Sequence, residues 1–234
     1  AFDPIINEAA NWYYMNGGSL PVPVVFWGII NRGGEQAAQH SQALHGMFAQ
    51  VPGLKVVMPA TPYDAKGLMV AAIREPNPVV FIDDRWLYRL EEPVPEEIYD
   101  VEIGRARIAR EGTDVTVAAS SFMVQEALMA SELLAEAGIA AEIIDLRTIK
   151  PLDGETLVAS VKKTGRMVVA DGGWRSFGVA AEVSALVAER AFGALRAPVA
   201  RVALPDCPAP ASAALENVYY RNSTDIIQAV RSLF

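Results

Sequence analysis

Apolar positions in the first part of the chain follow two different spacings. Residues 3–16 carry mixed apolar spacing that stops at Gly17 and Gly18, which predicts a helix with a glycine stop. "VPVVF" (22–26), "KVVMP" (55–59) and "PVVFID" (78–83) are short β-branched runs, the pattern of buried strands. "TPYDAKGLMVAAIRE" (61–75) places Thr61 at the N-cap, Pro62 at the first helical position and Asp64 at the third, which starts a helix. A further helix is predicted over "EQAAQHSQALHGMF" (35–48), where His40, Ala43, Leu44, Met47 and Phe48 form one apolar stripe. In that projection His40 lies at the inner, N-terminal edge of the stripe and His45 points away from it. The order α-β-α-β-α-β with continuous apolar strands predicts a parallel sheet covered on both faces.

Residues 88–100, "YRLEEPVPEEIYD", break the pattern with two prolines and five acidic side chains, so they read as a linker. The alternation then restarts. Strands are predicted at 114–120, 140–147, 166–171 and 198–204, and helices at 124–138, 152–164, 178–191 and 223–234. Asp153 is the expected N-cap of the second of these helices. The fold class expected is therefore α/β with two doubly wound domains, at 1–87 and 101–234, joined by the linker at 88–100.

Composition narrows the classes of function. With 234 residues, 52% of them hydrophobic and 21% charged, the chain is globular, and its mean hydropathy of +0.20 points to buried sheet plus subunit interface. No apolar run reaches the roughly 20 residues needed to cross a bilayer. The net charge of −8 and the lack of a basic cluster argue against nucleic acid and anionic membrane as partners. Cys207 is alone, so no disulfide framework and no cysteine metal site is expected. No signal peptide is seen, and a cytoplasmic or organelle-matrix location fits. The chain opens almost inside a helix, so a missing upstream segment is entertained.

Four stretches could carry chemistry. For His40 the plainer reading is a core or interface histidine with satisfied nitrogens. The other reading places a neutral imidazole at a helix N-terminus, donating to a carbonyl or shuttling a proton, with Gln39, Ser41 and Gln42 holding its tautomer. "NRGGEQ" (31–36) reads as a connecting loop and matches no phosphate-binding pattern. The carbonyls of Ala72 and Ile73 end a helix, and either water or an oxygen-liking cation would satisfy them. "ADGGWRSFG" (170–178) is a strand-to-helix turn whose Trp174 and Phe177 suggest a packed interface.

These stretches occur together in one family. "VPVVFWG", "AAQHSQALHGMFAQVPGLKVVMPATPYDAKGLMVAAIREPNPVVF", "IIDLRTIKPLD" and "VVADGGWRSFGVAAEV" resemble, in order, the beta subunit of thiamin-diphosphate-dependent 2-oxo acid dehydrogenases, with pyruvate dehydrogenase the best known. The resemblance implies the C-terminal part of a pyrimidine-type domain at 1–87 and a transketolase C-terminal domain at 101–234. It also implies a heterotetramer of two alpha and two beta subunits. Thiamin diphosphate would lie between alpha and beta, its diphosphate and Mg2+ held by alpha. The reaction would be decarboxylation of a 2-oxo acid and acyl transfer to the lipoyl group of a partner acyltransferase.

His40 matches the family's histidine beside the active-site channel. The family often binds K+ through backbone oxygens in this subunit, and the matching positions are Val24, Ala72, Ile73, Glu75 and Asn77. Trp27 stands where arginine is usual, with Arg32 close by, and Glu75 stands where aspartate is usual. No residue matches the glutamate that activates the cofactor, so the chain alone is expected to be inactive. Two alternatives remain: a noncatalytic assembly module, and a transketolase-like transferase subunit.

Overall fold

A computed structural model describes residues 2–234. A π-helical segment, Pro4–Ala9, runs into α1 (Ala10–Met15). The N–H groups of Gly17 and Gly18 then bond back to the carbonyls of Tyr14 and Tyr13 at 3.0 and 2.9 Å, closing the helix as its glycines predict. The first domain continues through β1 (Val25–Ile30), α2 (Ala37–His40), α3 (His45–Ala49), β2 (Lys55–Val57), α4 (Pro62–Arg74) and β3 (Val79–Asp84). The Thr61 hydroxyl accepts from the Asp64 N–H at 3.1 Å, so α4 starts where its cap placed it.

A 3-10 turn, Arg85–Arg89, leads into residues 90–106, which form neither helix nor strand. The second domain then runs β4 (Arg107–Arg110), β5 (Val115–Ala119), α5 (Phe122–Glu136), β6 (Ala141–Asp145), β7 (Thr148–Lys150), α6 (Gly154–Thr164) and β8 (Met167–Trp174). It ends with α7 (Val179–Ala191), β9 (Ala200–Leu204), α8 (Ala213–Tyr219) and α9 (Ser223–Arg231). Asp153 caps α6 through a 3.1 Å bond from the Thr156 N–H.

The strands form two sheets, ordered β1-β3-β2-β7 and β4-β6-β5-β8-β9. Pairing is parallel except at β7 on β2 and at β4 on β6. Thus β7, from the second domain, completes the first domain's sheet. One apolar cluster also crosses the boundary: Met58, Val80 and Ile82 from the first domain pack with Leu146, Leu157 and Val183 from the second. The two domains therefore share a core. No helix among the described residues is long and apolar enough to cross a membrane.

The predicted helix over 35–48 is replaced by two short helices, α2 and α3, with a non-helical break at residues 41–44. Tertiary contacts override the local pattern here. Glu35 and Ala37 adopt positive φ of 59 and 58°, which twists the entrance to α2. The His40 carbonyl, which would have accepted a helical bond from Leu44, instead accepts from the Asn31 N–H at 3.2 Å. The two histidines consequently exchange places: His40 is exposed and His45 is 1% exposed, while Ala43 stays buried and Phe48 packs against the core.

Candidate active site

Three parallel strands deliver their carboxyl ends to one edge of the first domain, where open α/β sheets place ligands. β1 leads through residues 31–36 into α2, at whose C-terminal end His40 presents its ring to solvent. The imidazole makes no hydrogen bond or ion pair among the described residues, while its backbone is held on Asn31. The location differs from expectation in sign, because the last turn of a helix carries negative, not positive, potential. Gln39, Ser41 and Gln42 do not hold the ring. Gln39 and Gln42 are exposed, and the buried Ser41 hydroxyl has no hydrogen-bond partner among the described residues.

The segment carrying His40 borders two open clefts. One, of about 710 Å³, lies between residues 31–36 and the turn bearing Arg85, Trp86 and Arg89. The other, of about 550 Å³, is lined by Ala38, Ser41 and Gln42 against Trp174, Phe177 and Cys207. Trp174 is half-buried, its indole N–H donating to the Cys207 carbonyl at 3.1 Å. Phe177 is 98% exposed, an apolar ring left to solvent at the mouth of that cleft.

The loop 31–36 is more than a connector. Arg32, read above only as a neighbour of Trp27, is buried: its Nε donates to Asp84 Oδ2 at 2.9 Å and its Nη2 reaches the Gly172 carbonyl at 3.5 Å. Its guanidinium carbon lies 5.4 to 5.8 Å from the ring centres of Trp86, Phe122 and Tyr220. Asp84 also accepts from the Trp86 N–H at 3.0 Å. Trp27 supplies a neutral N–H to Asp83 at 3.1 Å, and Tyr88 donates to the same oxygen at 3.0 Å. Burial raises the Asp83 carboxyl above its ordinary range, against the pull of those two donors.

His45 and Asp171 form a second buried pair, Nε2 to Oδ1, at 2.8 Å. Burial alone would raise the Asp171 carboxyl. The His45 ring and the N–H groups of Gly173 and Ala180 outweigh it and hold that carboxyl below its usual range. The sequence reading missed this pair, and the signal available for it was the glycine doublet of "ADGGWRSFG". A Cβ on Gly172 would lie 2.3 Å from Arg32 Nη2, and one on Gly173 would lie 3.0 Å from His45 Cε1.

The five residues matched to a K+ site gather where α4 meets β1 and β3. Val24 accepts from the Val79 N–H at 3.0 Å, and Ala72, Ile73, Glu75 and Asn77 follow around the end of α4. Pro76 has no N–H to offer the Ala72 carbonyl, and Pro78 has none for Arg74. The Asn77 Oδ1 is buried without a partner among the described residues. The Glu75 carboxylate is taken by Lys55 at 2.5 Å, which leaves that residue only its backbone oxygen to contribute. Among the described residues there is no group of three or more His, Cys, Asp or Glu side chains placed to hold a metal ion.

The chain as a whole is similar to known proteins. Residues 2–91 match "Transketolase, pyrimidine binding domain" and residues 104–226 match "Transketolase, C-terminal domain". The chain is 46% identical over 230 residues to the Acetoin:2,6-dichlorophenolindophenol oxidoreductase subunit beta of Cupriavidus necator, covering 98% of this chain and 68% of that one. It is 44% identical over 233 residues to the Pyruvate dehydrogenase E1 component subunit beta of Rickettsia felis, covering 100% of this chain and 72% of that one. The chain belongs to the beta-subunit family of the 2-oxo acid dehydrogenases. A solved structure described as "Split gene transketolase, inactive beta4 tetramer" has the same fold as this beta-subunit family member. It superposes with a TM-score of 0.81 at 26% identity, covering 100% of this chain and 71% of that one.

Proposed function

We propose that this chain is the beta subunit of a thiamin-diphosphate-dependent 2-oxo acid dehydrogenase of the pyruvate dehydrogenase type. It works with an alpha subunit in a heterotetramer and passes its acyl group to the lipoyl arm of a partner acyltransferase. The single observation that carries the reading is His40: an imidazole exposed at the carboxyl edge of the pyrimidine-type sheet, its backbone fixed to Asn31 and its ring uncommitted. A cytoplasmic or matrix location accords with this reading.

When bound between the subunits, with its diphosphate and Mg2+ on alpha, thiamin diphosphate supplies the electron sink for decarboxylation. This chain's contribution is the proton chemistry beside it. Acyl transfer to a lipoyl group breaks the dithiolane S–S bond: one sulfur takes the acyl group and the other needs a proton. The His40 ring delivers that proton, since an imidazole nitrogen can carry one to a nearby sulfur. K+ would be held by the oxygens of Val24, Ala72, Ile73, Glu75 and Asn77. The proline-orphaned carbonyl and the unpartnered Asn77 Oδ1 fit a large, oxygen-liking cation.

The test is co-expression with the cognate alpha subunit and assay of pyruvate decarboxylation and of acyl transfer to a lipoyl domain. Activity in both, dependent on both chains, supports the reading. A complex that assembles, binds thiamin diphosphate and processes only sugar phosphates would replace it with a transketolase-type transferase.

A further inference from the structure

The segment that carries His40 is tied to the second domain on both sides of that residue. On the N-terminal side, Arg32 reaches the Gly172 carbonyl at 3.5 Å. The Glu35 N–H donates to Glu216 at 2.9 Å, and the Glu35 carboxylate accepts from the Ala213 N–H at 3.2 Å. On the C-terminal side, over residues 41–46, the one polar tie among the described residues is His45 to Asp171 at 2.8 Å. Both partners of that tie are 1% exposed, so water does not screen it. The Asp171 carboxylate is itself fixed by the Gly173 N–H at 3.1 Å, and the Gly173 backbone lies against the His45 ring. His45 Nδ1 is buried with no partner, so the ring's polar contacts are spent on Asp171.

We propose that His45 and Asp171 are positioning residues that set the place of His40 from the second domain. The break at 41–44 has no helical bonds to hold it, since the His40 carbonyl is diverted to Asn31. Ala43 seats it in the shared core, and its polar anchoring comes from the two ends, where β8 fixes the far one through Asp171. Exposure of the His40 ring to a partner subunit is thereby decided by a strand in another domain. The proposal rests on the reading of His40 given above, and its test separates the two.

The experiment compares the assembled alpha–beta complex with His45→Leu, Asp171→Asn and His45→Gln variants. Amide hydrogen exchange is read over residues 37–44 and, as a reference, over 167–169. Acyl transfer to a lipoyl domain is measured alongside the KM for pyruvate. Loss of one buried charge-assisted bond is expected to speed exchange over 37–44 by about tenfold while leaving 167–169 unchanged. Turnover in acyl transfer should fall by a comparable factor with KM for pyruvate unmoved. His45→Gln, which keeps an N–H for Asp171, should recover most of both. The isosteric Asp171→Asn keeps the test open if leucine disturbs folding. Unchanged exchange over 37–44 in both the His45→Leu and the Asp171→Asn complexes overturns the proposal. Faster exchange with undiminished acyl transfer upholds the anchor and removes His40 from the reaction.

Discussion

Arg32 and Asp84 are joined at 2.9 Å with side chains 2% and 0% exposed, across the gap between the loop after β1 and the end of β3. Three aromatic rings from both domains surround the guanidinium. Breaking a buried pair on one side leaves the other charge without compensation, at about 3–5 kcal/mol. Arg32→Ala is expected to lower the unfolding free energy by that amount in urea titration. Arg32→Lys keeps the charge but loses the flat stack, and should recover only part. A loss below about 1 kcal/mol would show that the pair contributes no more than a surface ion pair.

In the assembled complex His40→Ala should cut acyl transfer to a lipoyl domain by about a hundredfold, the range for loss of a positioned proton donor. Thiamin diphosphate affinity, read by fluorescence titration, should change less than threefold, on the order of 0.6 kcal/mol. Equal losses in both would point to a structural role for the ring.

Purified alone and given thiamin diphosphate and Mg2+, the chain should release no CO2 from pyruvate. Addition of the alpha subunit should restore release. Turnover by this chain without a second polypeptide would contradict the shared-site reading.

The sites differ in how far local pattern could have revealed them. The caps of α4 and α6 were legible because Thr61 and Asp153 act on N–H groups three residues away. Most strands were legible because they are buried on both faces and rich in apolar residues, as in the fully buried run Val115–Ala119. β4, β7, α8 and α2–α3 were not, and β1 begins at Val25, three residues past the start of its expected run. Thr148–Lys150 is a strand only because Val56 and Val57 from the other domain pair with it. The helix over 35–48 failed because the Asn31 N–H captures the His40 carbonyl, while Glu216 and Asp171, far along the chain, hold the Glu35 N–H and the His45 ring. The burial of His45 and the exposure of His40 follow from those captures and were invisible to periodicity.

K+ should raise the melting temperature of the complex more than Na+ at equal ionic strength, since the larger ion suits carbonyl ligands around a helix end. Asn77→Ala should abolish the difference by removing the unpartnered Oδ1. Equal melting in both salts would dismiss the site.

Asp145 lies in a buried cluster with Asp64, Arg107 and Arg147: Arg107 meets Asp145 at 3.2 Å and Arg147 meets Asp64 at 2.7 Å. Burial, then the Asp64 charge, pushes the Asp145 carboxyl from 3.8 to about 6, against the pull of Arg107. The native state then binds more protons than the unfolded state between those two values, so this group's contribution to stability falls as pH rises through that window. Relative to Asp145→Asn, the wild type should gain up to about 3 kcal/mol between pH 7 and pH 4, measured by denaturant unfolding at each pH. A difference that stays flat with pH would place the proton elsewhere.

The strand Thr148–Lys150 makes this chain hard to cut in two. It seals the open side of Lys55–Val57, with the Met58 N–H donating to the Arg147 carbonyl at 2.8 Å just beyond the ladder. A fragment ending near residue 100 would present that row of peptide groups bare, a ready template for a neighbouring molecule. The place where the two family matches divide, between 91 and 104, is therefore a seam in descent and not in mechanics.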